Sequence, residues 1–185
     1  MKNTLIACAC LLLTACASPP VLTERTLASG AERAPEQLAV VFDKADLALR
    51  VEPSSRTIRG DATLTFQATA PLSRFVLDLD NNFTIDGVTV DGQAAAYSNP
   101  DGRLAITLPK PVAAGAQFGV RVRWHGAPHV AKKAPWDGGF VWSTTPDGQP
   151  WVASAVQGEG CDLFWPCIDH PMGKARVIDQ HITVP

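Results

Sequence analysis

Thr57-Ile58-Arg59-Gly60-Asp61-Ala62-Thr63-Leu64-Thr65-Phe66-Gln67 decides the fold of this chain. Ile58, Gly60, Ala62, Leu64 and Phe66 alternate with Thr57, Arg59, Asp61, Thr63, Thr65 and Gln67. Successive side chains of a strand point to opposite faces, so the pattern is that of a half-buried antiparallel strand with one wet face. Upstream, Ala45, Leu47, Leu49 and Val51 alternate with Lys44, Asp46 and Arg50, and Glu52-Pro53-Ser54-Ser55-Arg56 supplies a turn. The two runs read as a hairpin.

Short strands follow downstream. Phe75, Leu77 and Leu79 alternate with Arg74, Asp78 and Asp80. Thr84-Ile85 and Val88-Thr89-Val90 are set off by Asp86-Gly87 and Asp91-Gly92, both turn signals. Leu104, Ile106 and Leu108 lie between Asp101-Gly102 and Pro109; Phe118, Val120, Val122 and Trp124 alternate with outward Arg121 and Arg123. No segment has the length and period of an amphipathic helix. The predicted fold class is all-β, an antiparallel saddle-like or sandwich domain over residues 41–185. Beyond Trp124 the aromatics concentrate: Trp136, Phe140, Trp142, Trp151, Phe164 and Trp165 read mainly as the core of the second half.

The 185 residues leave room for one domain and a leader, and a net charge of −2 gives no electrostatic footprint for nucleic acid. Lys2 and the apolar run Leu5 to Leu13 form an export signal over residues 1–15, too short to span a bilayer. Leu13-Thr14-Ala15-Cys16 resembles a bacterial lipobox, which implies lipidation at Cys16 and anchoring to a membrane of the cell envelope, facing the periplasm. Residues 16–40 read as a tether. Cys161 and Cys167 then remain as a pair. With an extended chain between them their Cα atoms would lie roughly 20 Å apart, so both read as small buried hydrophobes unless the chain bends sharply at Pro166.

Catalytic constellations are missing from the sequence. His125 and His129 have helical zinc-ligand spacing, but Gly126 and Pro128 lie between them and Pro128 would break that helix. There is no G-x-S-x-G elbow, and Gly158-Glu159-Gly160 is too short for a phosphate loop. No metal ligands are assigned.

Near the C-terminus, Trp165-Pro166-Cys167-Ile168-Asp169-His170-Pro171-Met172-Gly173-Lys174 fits the pattern F-P-C-x-D-x-P-x-x-K, with Trp165 in the Phe position. Gln157 stands twelve positions before Asp169. This stretch resembles the end of the N-terminal β-domain of the aminopeptidase N family of zinc metallopeptidases. The resemblance implies that Gln157 helps bind the free α-amino group of a peptide substrate. Trp165, Pro166, Cys167, Asp169, Pro171 and Lys174 would form a structural corner. Asp162 departs from the family, many members of which carry Arg there.

The family's G-x-M-E-N and H-E-x-x-H segments are not in the sequence. The expectation is therefore the N-terminal part of an exported aminopeptidase that docks on a catalytic domain outside this chain, with zinc held by the full enzyme and none by this segment. The competing expectation is a free-standing periplasmic β-sandwich lipoprotein that binds peptides or another envelope protein.

Overall fold

The expected hairpin is present in the computed structural model of the chain, which describes residues 27–185. β1 (Val40–Glu52) and β2 (Thr57–Ala68) pair antiparallel, with Leu47 opposite Ala62 and Leu49 opposite Gly60. Ala45, Leu47, Leu49, Ile58, Ala62, Leu64 and Phe66 are buried, so the inner face is the one the alternation selects. Arg56 closes the turn in the left-handed region, at φ 53°.

The remaining strands are β3 (Leu72–Asp78), β4 (Thr84–Val90), β5 (Gln93–Ala94), β6 (Tyr97–Ser98), β7 (Arg103–Val112), β8 (Gln117–Gly126), β9 (Gly139–Thr144), β10 (Pro150–Ala155) and β11 (Val177–Thr183). One sheet has the order β11-β1-β2-β8-β4-β5, a second has β3-β7-β6, and β9 and β10 form a hairpin. The domain is all-β, and its pairings are antiparallel except that of β11 with β1. The core lies between the two larger sheets, where Phe66 packs on Phe42, Phe75 and Phe118 at centroid distances of 4.4, 4.6 and 5.5 Å. Trp124 is fully buried, its ring covering the backbone of Gly60.

Four local readings change. Asp86-Gly87 is no turn: β4 runs through it with a register shift between Ile85 and Gly87 against β8. That bulge frees Asp86 to meet His125 and Arg59 on the outer face. Pro109 does not end β7, because it falls where the β3–β7 ladder is interrupted between Thr107 and Val112 and no N–H is required. Asp78 and Asp80 do not form a wet face on β3; they are 5% and 0% exposed, because the chain around residues 162–169 covers them. Residues 27–40, read from the sequence as tether, lie against the domain through α1 (Pro35–Leu38), with Ala34 and Gln37 buried. The leader, Cys16 and the rest of the tether lie outside the described residues.

Candidate functional site

After β10 the chain forms no regular element until β11, yet it is held at many points. The turn at Val156–Gly160 closes through the Gly160 amide donating to the Val156 carbonyl (3.1 Å), and the Ser29 amide donates to the Gly158 carbonyl (2.6 Å). Gly158 and Gly160 take φ values of 79° and 96°, which favour glycine. Gln157 sits exposed on this turn, and among the described residues its side chain has no hydrogen-bond partner. Its neighbour Glu159 is buried at 6% exposure, with its carboxylate 2.7 Å from His129 Nδ1.

The expectation that Cys161 and Cys167 are unpaired is corrected: they form a disulfide with a Cα–Cα distance of 6.3 Å. The chain between them is not extended. The amides of Phe164 and Trp165 both donate to the Cys161 carbonyl at 3.2 Å, so the backbone turns back well before Pro166. A covalent ring this short removes limited chain entropy, worth about 2 kcal/mol. Cys161→Ser/Cys167→Ser is therefore expected to lower the thermal midpoint by about 5 °C, as read by circular dichroism.

Behind this corner lies a polar network that the sequence did not announce. Asp78 Oδ2 accepts from Gln37 Nε2 (2.7 Å) and from the Asp169 amide (3.0 Å). The amides and carbonyls of Asp78 and Cys167 exchange bonds of 2.7 and 2.9 Å, and the Asp80 amide donates to the Asp162 carbonyl (3.0 Å). Gln37 Oε1 in turn accepts from the Ala34 amide (2.8 Å), so α1, β3 and the corner are laced together. Asp169 Oδ1 accepts from Ser29 Oγ (3.1 Å) and the Cys161 amide (3.2 Å). Of the other corner residues, Trp165, Pro166 and Cys167 are buried, whereas Pro171 and Lys174 are exposed.

Burial pushes the Asp169 carboxyl above its ordinary value of 3.8, against the opposing pull of the bonds from Ser29 and Cys161. The folded chain thus holds this proton more tightly than the unfolded chain. The group's contribution to stability is complete below pH 3.8 and is lost as pH rises through the raised value. Asp169→Asn stays neutral throughout, so the stability of the parent relative to this variant is expected to fall as pH rises from about 4. Urea midpoints for both proteins across that range measure it.

The aromatics divide. Phe140 and Trp165 are buried, and Trp142 and Phe164 pack partly buried against the core. Trp136 and Trp151 stay exposed at 76% and 50%, outside the core expected for the group. Phe140 stacks on Trp142 at 5.4 Å and meets Phe164 edge-on at 6.4 Å, which ties the β9–β10 hairpin to the corner. Between that hairpin and β11 runs a groove of about 770 Å³ lined by Leu49, Val51, Phe140, Val152, Phe164 and Ile182. Every residue of β11 is exposed.

His125 and His129 point to different partners, Asp86 and Glu159. Among the described residues no group of three or more His, Cys, Asp or Glu converges as a metal site. Nor is any helix among them long and apolar enough to cross a membrane.

No family model matches the sequence, and no curated protein matches it. Solved structures do. An M1 zinc metallopeptidase from Deinococcus radiodurans aligns with a TM-score of 0.62 and 27% identity over 80% of this chain and 33% of that one. A mutant of an M1 zinc metallopeptidase from the same organism, bound to a Tyr-Ser-Ala substrate, aligns with a TM-score of 0.58 and 26% identity over 80% and 33%. Yeast LTA4 hydrolase in complex with bestatin shares the fold, with a TM-score of 0.63 and 18% identity over 92% of this chain and 26% of that one. The chain spans about a third of the length of the metallopeptidase structures it matches.

Proposed function

We propose that this chain is the N-terminal β-domain of a zinc-dependent aminopeptidase, exported and held at the cell envelope by a lipid on Cys16. The observation that carries the reading is the match of 80% of the chain to a third of an M1 zinc metallopeptidase, at 27% identity. A related structure holds a Tyr-Ser-Ala substrate, which supports a peptide as the substrate class. In this reading Gln157 accepts a hydrogen bond from the peptide's α-ammonium through its side-chain carbonyl. The exposed turn that carries it leaves that oxygen available.

The described residues do not fit a zinc site: the cysteines are joined, and each of the two central histidines is paired with one carboxylate. Zinc, which polarises the scissile carbonyl and activates water when bound, belongs in this reading to a catalytic domain outside the chain. That domain would cover the groove beside β11, where Ile182 and Val184 are 59% and 64% exposed.

The test has two parts. The purified chain is expected to show no turnover of an aminoacyl anilide; chelator-sensitive turnover by it would sink the proposal. Reading the gene past the codon for Pro185 is expected to reveal H-E-x-x-H in frame. A stop there followed by an unrelated gene favours the free-standing lipoprotein instead. In the complete polypeptide, Gln157→Ala forfeits a hydrogen bond to a charged group, about 1.5–3 kcal/mol, and is expected to raise KM for a peptide roughly ten- to a hundredfold.

A further inference from the structure

We infer that His129 and Glu159 are positioning residues for Gln157, together forming a clamp that fixes the turn on which Gln157 is presented. This inference rests on the reading of Gln157 as the amine-binding residue.

Among the described residues Gln157 has no side-chain hydrogen bond to hold it, so its place must come from its own backbone. That backbone is followed by two glycines with positive φ, Gly158 and Gly160, where a chain can hinge at low steric cost. The side chain rooted between them is Glu159. It points inward, and a buried carboxylate is tolerated only with a partner. His129 supplies one, with Nδ1 2.7 Å from Glu159 Oε2 and side-chain exposures of 17% and 8%. An ionised carboxylate can only accept, so Nδ1 donates.

His129 is itself anchored. Its carbonyl accepts from the Phe140 amide (2.7 Å), and the Phe140 carbonyl accepts from the Ala131 amide (3.0 Å), fixing the segment to β9. Gly138 completes the seat. A Cβ at that position would lie 2.7, 2.8 and 2.9 Å from Cβ, Cγ and Cδ of Glu159, so the absence of a side chain there is what lets the carboxylate in. The pair therefore transmits the rigidity of the β9–β10 hairpin to an exposed turn whose Gln157 lies two residues beyond β10. Hydrogen-bond geometry of this kind restrains a functional side chain without touching its ligand.

Hydrogen exchange of the Gly160 amide, which donates to the Val156 carbonyl, reads the clamp directly in the purified chain, and KM and kcat of the complete polypeptide read its consequence. Glu159→Ala removes the carboxylate; Gly138→Ala leaves both partners chemically intact but crowds their seat. Each is expected to speed exchange of the Gly160 amide by about tenfold or more while core amides of β2 and β8 stay protected. Each is also expected to raise KM about tenfold with kcat within about twofold. Glu159→Gln, which keeps an acceptor for the imidazole N–H, is expected to restore most of both. Unchanged exchange at Gly160 in both alanine variants overturns the clamp. Faster exchange with KM raised only by Gln157→Ala overturns its positioning role. Faster exchange with KM unmoved even by Gln157→Ala leaves the clamp standing and removes the amine-binding reading.

Discussion

Gly60→Ala is expected to cost the domain about 3 kcal/mol, lowering the thermal midpoint by about 10 °C. The position lies inside β2, on its inward face, opposite Leu49 on one side and Trp124 on the other. A Cβ there would fall within the van der Waals radius of three carbons of the Trp124 ring. Trp124 is fully buried among close-packed side chains, so the ring cannot swing aside without displacing its neighbours. Gly60 is thus the floor on which the largest core side chain lies. The complementary change makes the case specific. Trp124→Phe removes the second ring and leaves a cavity, destabilising by itself. In the double variant the new methyl occupies part of that space, so the combined loss is expected to be smaller than the sum. Additive losses in denaturant unfolding would show that the two positions do not share this contact.

Asp78→Ala is the second large effect, about 3–5 kcal/mol. Its carboxylate serves the Gln37 amide group and the Asp169 backbone N–H, both in the buried seam between α1, β3 and the C-terminal corner. Truncation strands two donors away from water, each costing about 1–3 kcal/mol. Asp78→Asn keeps one acceptor oxygen for the pair and is expected to lose less than half as much. Equal losses for the alanine and asparagine variants, measured by urea unfolding, would rule out the acceptor role. Because this seam backs the corner, the alanine variant should also loosen the turn that carries Gln157.

The hairpin and the inner faces of β1, β2 and β8 were legible because period-two alternation reports directly which side of a strand is wet. β3 departs from its expected wet face for a physical reason. Val76 is buried alongside Phe75 and Leu77, so the strand is covered on both faces, and a strand of that kind does not alternate. Val76 beside Leu77 was the available signal; the two aspartates obscured it. The corner motif was legible only as a resemblance, since a proline-rich stretch says little about what it packs on. The Cys161–Cys167 bond is not legible in the spacing, because one turn of backbone brings together two residues that an extended chain would hold far apart. The His129–Glu159 pair could not be read at all: its partners come from segments thirty residues apart, joined by tertiary packing.

The parallel pairing of β11 with β1 bears on how the domain is assembled during synthesis. β1 gains β2 from its immediate sequence neighbourhood, but its other edge is met by residues 177–183, beginning with Val177 opposite Lys44. Contacts of such wide sequence separation form late and slowly. Until β11 emerges, β1 offers an open row of backbone donors and acceptors to any passing chain. Lys44, Asp46 and Arg50 stand along that row with their charges outward, and Lys44 later joins Asp179 and Asp46 in ion pairs of 2.8 and 3.1 Å. In the finished sheet such exposed pairs contribute little to stability. Charges of this kind along an open edge disfavour pairing with a foreign strand, so before β11 arrives they serve the nascent sheet more than they serve the finished one.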